Sequence, residues 1–350
     1  MQRNFFLTDL MSTGDCRSYE KFLSDHTLPN QHNDYCGMFY ALHLYELDGY
    51  DRKFAIIDRK LNSKITGDEY KKELARRVEL LHSQGFHFIL ATPWESKENI
   101  NNSVSYPERL ERYSTIDWTG GVDWFWSYMY HKHKGQKFEI DHSDKKFHYL
   151  YLNKQPRTHR KKLYDKLVAK NVLSNSLYTF INYEQPRRLP TEYELPWVDV
   201  SNYPQYGYDQ DLYTKPYNHS SCSIVSETND NPNEVFMTEK IWKPIIAQQV
   251  FIVHGNYLYL QKLREMGFKT FNNYFDESYD LEVDADKKIN KLVALCDKLK
   301  SLDWQDLYLQ SQALRQHNFN TFFDKEKLSA EVNKTLGSFF EFADSSKISS

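Results

Sequence analysis

The 350-residue sequence predicts an α/β protein with parallel sheets, divided into two domains. Two local patterns and the chain length carry this reading. Asp68 to Gln84 places Leu74, Val78 and Leu81 at i, i+4 and i+7 with charges opposite, the spacing of an amphipathic helix. Gly85 suits its C-cap, and the apolar run Phe86 to Ala91 follows as a strand, so helix, Gly and strand make half of a βαβ unit. A second apolar run, Phe147 to Leu152, leads through a polar loop with several cations into the helix Lys161 to Lys170. A chain of this length exceeds the usual size of one core.

Composition narrows the class. Formal net charge is −3, which gives no bulk attraction to nucleic acid or anionic membranes. Hydrophobic residues make up 40%, enough for two cores, and the aromatic share of 16% suits both packing and stacking on sugars or bases. The four cysteines, Cys16, Cys36, Cys222 and Cys296, form no CxxC pair, so they read as reduced thiols and the expected compartment is the cytoplasm. Met1 to Phe6 does not continue into an apolar h-region, and no membrane span is expected.

In the first domain, residues 1–145, Ser18 to Asp25 is expected as a short helix and Phe54 to Asp58 as a strand. The strand ending at Ala91 delivers Glu95 just beyond its carboxyl end, where ligands gather in open α/β sheets. Glu95 is therefore a catalytic candidate, with a solvated loop carboxylate as the alternative. Asn99 to Ser105 is polar and reads as a loop. The aromatic stretch Trp118 to Tyr130 reads as a buried helix on the first sheet, or as an acceptor platform. His131 and His133 lack further ligands for a metal and read as surface histidines. Lys134 to Lys146 is charged and polar and reads as the linker.

The second domain, residues 146–322, carries two segments suited to phosphate. After the strand Phe147 to Leu152 come Asn153, Arg157 and Arg160, cations before a helix N-terminus. Tyr178 to Asn182 reads as the next strand, Pro186 to Tyr217 as a long loop, and Ser223 to Ser226 as a strand ending in the turn Glu227-Thr228-Asn229. Thr238 then suits an N-cap and Glu239 the positive end of a helix. Lys240 does not, because a cation in the first turn opposes the macrodipole; a bound anion removes the conflict. A capped surface helix is the alternative. Beyond it lie the strand Val250 to Val253, His254-Gly255, a helix Tyr257 to Met266 capped by Gly267, a short strand Lys269 to Phe271, and Tyr279. Helices are expected over Asp286 to Leu299, Trp304 to Asn318 and Lys325 to Phe342, and a disordered tail from Ser345.

Strand, acidic turn, Thr-Glu-Lys helix, strand and Gly, in this order, resemble the donor half of the fucosyltransferase-like glycosyltransferases. Phe236 to Ile241 resembles that family's Tyr-x-Thr-Glu-Lys-[Leu/Ile] segment, Glu227 to Asn229 its Glu-Asn-Ser turn, and Val250 to Gly255 its Pro-x-x-x-Gly strand. The segment with Asn153 and Arg160 resembles its Ser-Asn-x-x-x-x-x-Arg segment, with six residues between the two, and Glu95-Ser96 resembles its Trp-x-x-x-x-Glu-Ser-Pro turn. Departures are Phe236 for Tyr, Lys97 for Pro, and Pro244 inside the helix, where a kink is expected. The resemblance covers roughly Leu150 to Asp280.

The resemblance implies two Rossmann-like domains facing across a cleft, the GT-B arrangement. Residues 1–145 would be the acceptor side, 146–322 the donor side, and 323–350 a closing helix that packs back on the first domain, then a tail. It implies an inverting, metal-independent glycosyltransferase acting on a glycan or another hydroxyl acceptor. Glu95 would be the base. Asn153, Arg157, Arg160, Glu227, Asn229, Thr238, Glu239, Lys240 and Tyr279 would bind the donor. No cofactor is expected beyond the nucleotide sugar itself, GDP- or UDP-linked, and no metal. A viral-type nucleic-acid base glycosyltransferase and a non-catalytic sugar- or nucleotide-binding protein are the alternatives.

Overall fold

The computed structural model describes residues 6–7, 17–18, 53–58, 83, 86–92, 115–119, 122–180, 187–193, 211–230, 232 and 235–334. The chain divides into two compact units, Met1–Gly121 with Ser329–Ser350, and Val122–Leu328. The division precedes the aromatic helix, whereas the sequence reading puts the linker at residues 134–146.

In the first unit, β1 (Phe6–Leu7) pairs antiparallel with β2 (Arg17–Ser18), so Ser18 is extended where a helix was expected. β3 (Lys53–Asp58), β4 (Phe86–Thr92) and β5 (Thr115–Thr119) form a parallel sheet in that order. Of the expected helix 68–84, only Ser83 is described, and it is helical. Glu95 and the loop 99–105 lie outside the described residues.

The second unit opens with α1 (Val122–His133). The parallel strand β6 (Phe147–Asn153) follows, then α2 (Thr158–Ala169), β7 (Ser176–Phe180), α3 (Thr214–His219), β8 (Ser220–Ser226), α4 (Glu239–Ile246) and β9 (Val250–His254). α5 (Tyr259–Glu265), α6 (Ala285–Leu299), α7 (Trp304–Gln310) and α8 (Gln312–Phe322) complete it. The sheet order is β7-β6-β8-β9, all parallel. Every residue of the central strand β8 and of its neighbour β9 is buried. β8 begins three residues before the expected strand because Ser220, Ser221 and Cys222 are small enough to be buried there. Ser221 O accepts from Tyr308 Oη at 2.8 Å, and Ser223 Oγ donates to Gln249.

The aromatic stretch divides: Trp118 and Thr119 end β5, and the residues from Val122 onward form α1, which packs within the second unit. Phe125, Met129 and His133 repeat at i, i+4 and i+8 and are buried together with Trp126. His133 is thus an interior residue, not a surface one; its Nδ1 lies 3.1 Å from Gln136 Oε1. Trp126 stacks on Trp242 of α4 at 5.6 Å, meets Phe268 at 5.0 Å, and donates from Nε1 to Phe322 O at 2.9 Å.

Two further expectations are corrected. Residues 269–271 are not a strand: Lys269 N donates to Asn318 Oδ1 and Phe271 N to Glu277 Oε1, both at 2.7 Å, so side chains take the place of a strand partner. The helix 304–318 is two helices that meet at the buried Ser311, whose Oγ accepts from Arg315 Nε at 3.2 Å. Pro244 sits inside α4, which ends two residues later at Ile246. Residues 325–334 are helical; 335–350, including the tail, lie outside the described residues.

Residues 134–146 are irregular, and Lys145 pins them to the amino end of the sheet. Its Nζ donates to Ser220 O at 2.8 Å and Tyr217 O at 3.2 Å, reaches His142 Nδ1 at 2.8 Å, and lies over the Tyr308 ring at 4.3 Å. Gln249 Nε2 donates to the same two carbonyls. Burial, with Arg315 adding repulsion, pushes the Lys145 ammonium down to about 6.

Two outcomes follow from this packing. Trp126→Ala removes the centre of the aromatic cluster and should destabilise the second unit by about 3–5 kcal/mol, read from its urea midpoint. Lys145 binds a proton in the unfolded chain up to its ordinary range but loses it in the fold near pH 6. Stability should therefore rise with pH from about 6 upward, and the cost of the buried charge should be present in full below that. Lys145→Met should flatten the slope between pH 6 and roughly 9, where urea midpoints at the two ends compare directly; Gln249 keeps both carbonyls bonded.

Candidate functional site

The sheet order makes one place special. From β6 the chain winds outward through α2 to β7, then returns across β6 to β8 and winds the other way through α4 to β9. The reversal lies between β6 and β8, and in open α/β sheets ligands enter the crevice at the carboxyl ends of such a strand pair. The register opens that crevice. β6 and β8 pair from Phe147↔Ser220 to Leu150↔Ser223, whereas β6 stays paired with β7 to Asn153↔Phe180 and β8 with β9 to Ser226↔His254. The two central strands part just before their ends.

Asn153 ends β6 at this point. It is 4% exposed, and neither its Oδ1 nor its Nδ2 has a hydrogen-bond partner among the described residues. A buried amide without partners costs free energy of about 1–3 kcal/mol, which a ligand at this place would recover.

Across the crevice, β8 runs into the turn Glu227-Thr228-Asn229, and the first residues of α2 reach over to it. Arg157 Nη1 donates to Thr228 O at 3.0 Å. Arg160 donates from Nε to Glu227 O at 3.0 Å and from Nη2 to Thr228 Oγ1 at 3.4 Å. His159 Nε2 lies 3.0 Å from the same Glu227 O, and its Nδ1 lies 3.4 Å from Asp230 Oδ1. Arg160 is 4% exposed; burial draws its guanidinium down and the Glu227 charge opposes that. Burial, then His159, Lys288 and Arg160, hold the adjacent His254 well below its usual range, so that ring is neutral.

The Thr-Glu-Lys segment arrives from the other side. Thr238 is the N-cap of α4, with its hydroxyl accepting from Lys240 N at 3.5 Å. Lys240 turns its Nζ back over the helix end, 3.0 Å from Thr238 Oγ1, 3.2 Å from Thr228 Oγ1 and 2.5 Å from Glu239 Oε1. Burial raises the Glu239 carboxyl, and Lys240 with Lys243 behind it pulls it down further, so it stands below its ordinary value. Glu239 and Lys240 thus form an ion pair on the first turn, with Lys240 facing the same Thr228 that Arg160 reaches.

The core fixes this end of α4. Phe236, two residues before the cap, is edge-on to Phe125 at 5.8 Å, and Trp242, two residues after Lys240, stacks on Trp126. Phe236 N donates to Asn256 Oδ1 at 2.9 Å. One helix, α1, therefore grips the segment on both sides of its functional residues.

The structure brings together Arg157, Arg160, Glu227, Thr238, Glu239 and Lys240, with Asn229 next along the turn and Asn153 on the neighbouring strand end. Tyr279 is a core residue: it is buried, and its hydroxyl accepts from Val253 N in β9 at 3.4 Å. Thr228, His159, Asn256 and Tyr259 were not singled out from the sequence. Thr228 sat within a recognised turn, but the others carry no local pattern.

Among the described residues no group of three His, Cys, Asp or Glu is placed to hold an ion. The sequence contains Asp-x-Asp at Asp209–Asp211 and Asp284–Asp286. Asp211 pairs with Lys132 at 2.6 Å, Asp284 caps α6, and Asp286 accepts from Lys162 at 3.1 Å; Asp209 lies outside the described residues.

Chemically, three cations, a helix N-terminus and an unpartnered amide at a strand switch suit an anion with several oxygens, such as a diphosphate. Lys240→Met keeps the stem of the side chain and removes the ammonium. It should weaken pyrophosphate binding at least tenfold by calorimetry while the melting temperature changes little, because the charge is part-exposed. No family model matches the sequence, and a search of curated proteins finds no match.

Proposed function

We propose that the chain is a glycosyltransferase that moves a sugar from a GDP- or UDP-linked donor to a hydroxyl acceptor. In this reading two Rossmann-like domains face across a cleft, and the switch-point site of the second holds the donor diphosphate. The observation that carries the reading is the convergence of Arg157, Arg160 and Lys240 on the Glu227–Asn229 turn beside the first turn of α4. The resemblance of the same segments to fucosyltransferase-like enzymes supplies the reaction.

Transfer breaks the bond between the anomeric carbon and the phosphate oxygen, and the electron pair leaves with the nucleoside diphosphate. Arg160, Lys240 and the α4 dipole stabilise that growing charge, and stabilisation of this kind accounts for most of the acceleration in many enzymes. Fixed cations here do the work that a divalent ion does elsewhere, so transfer is expected to be metal-independent. The acceptor oxygen attacks from the opposite face and inverts the centre, and Glu95 of the first unit takes its proton.

A thermal-shift titration with GDP, UDP, CDP and ADP in excess EDTA tests the reading. One nucleotide should raise stability by about 2.7 kcal/mol at a hundredfold excess over its Kd, with no loss in the chelator. A response to none of the four, or one that disappears on chelation, would overturn it.

A further inference from the structure

Glu227 stands at the centre of the site, yet its carboxylate is enclosed by protein donors. It is 0% exposed and accepts four hydrogen bonds. Oε1 takes Thr238 N at 3.1 Å and the Tyr259 hydroxyl at 2.7 Å. Oε2 takes the Thr238 hydroxyl at 2.6 Å and Thr228 N at 3.3 Å. Its backbone is equally engaged: Glu227 O accepts from Arg160 and His159, and Glu227 N donates to His254 O at 2.9 Å. One residue thus joins the end of β8, the end of β9, the start of α2, the cap of α4 and the first turn of α5.

We propose that Glu227 is a positioning residue that contacts no part of the donor and instead locks the α4 cap and Arg160 into one phosphate-holding geometry. The proposal rests on the glycosyltransferase reading for its ligand. It reassigns a residue whose place in the motif implied direct donor binding. A carboxylate with four protein donors and no exposed surface has no lone pair left for a ribose hydroxyl.

The geometry also says why the residue is Glu and not Gln. Each carboxylate oxygen faces one backbone N–H, Thr238 N on one side and Thr228 N on the other. Hydroxyls can reverse their roles, but backbone N–H groups cannot. Either orientation of a Gln amide therefore sets an NH2 against a backbone N–H. Tyr259 adds a steric condition: a Cβ at Gly255 would come within 2.5 Å of the Tyr259 ring, so Gly255 leaves the space in which that ring carries its hydroxyl to Glu227.

Calorimetric titration of wild type, Glu227→Gln and Tyr259→Phe with pyrophosphate, and separately with GDP and UDP, tests the proposal at a temperature where each protein is fully folded. Glu227→Gln should weaken pyrophosphate and the nucleoside diphosphate by the same factor, about tenfold or more, because it acts through the phosphate cradle. Tyr259→Phe, which keeps the ring and loses one bond, should show a smaller loss, again equal for both probes. It carries the test if the Gln variant does not fold. A loss confined to the nucleoside diphosphate would mean that Glu227 bonds the ribose, and would overturn the proposal; so would unchanged affinity for both. If wild type binds neither pyrophosphate nor a nucleotide, the function reading fails by itself. Hydrogen exchange then decides the link: in Glu227→Gln the amides of residues 227–229 and 235–241 should exchange faster together while those of α6 do not. Unchanged exchange in both segments would overturn it.

Discussion

A single buried negative charge dictates the shape of the candidate site. Moving a carboxylate out of water costs several kcal/mol, and the cost is recovered only when its oxygens are fully bonded and opposite charge is near. Glu227 obtains this from two backbone N–H groups and two hydroxyls, with Arg160 bonded to its carbonyl. Those partners come from separate elements, so satisfying one charge fixes where β8 ends, where α4 begins and how α2 approaches. The neighbouring residues inherit their positions from that requirement. Lys240 overlies Thr238 and Thr228 because both are already tied to Glu227.

Hydrophobic packing supplies the rigidity that hydrogen bonds alone do not. α4 has only eight residues, too few to be stable by itself. Trp242 and the flanking Phe236 anchor it against α1, and Phe268 and Phe322 close the cluster around Trp242. The aromatic richness of the chain is thus spent, in this unit, on holding a short helix at a fixed angle to the sheet.

The sequence made some of this visible and hid the rest for physical reasons. The start of α4 was legible because capping is local: Thr238, Glu239 and Lys240 state their conflict within three residues. Arg160 was legible as a cation between a strand and a helix. The role of Glu227 was not, because its partners lie as far off as Thr238 and Tyr259. The aromatic density of Trp118 to Tyr130 predicted a buried helix on the first sheet, but Trp242 and Phe268, the partners of Trp126, lie more than a hundred residues along the chain and left no local sign. The amino end of β8 was hidden because Ser220 and Ser221 are polar in sequence yet buried in the fold. Residues 269–271 read as a short strand after the Gly267 cap, yet Asn318 and Glu277 provide the acceptors that a neighbouring strand would have given.

In this structure each cation of the site already has a protein acceptor: Arg157 and Arg160 hold carbonyls of the turn, and Lys240 holds Glu239. An incoming anion would therefore trade with existing bonds instead of filling bare donors. Such an exchange releases little heat, since the bonds lost and gained are similar in kind. The preference for the anion comes from its greater charge, and salt screens that preference at the part-exposed Lys240 more than at the buried Arg160. The buried carboxylate of Glu239, if parted from its lysine, would then become an acceptor beside the ligand. The protein would thus exchange an internal counterion for a hydroxyl-binding group in the same event that admits the ligand.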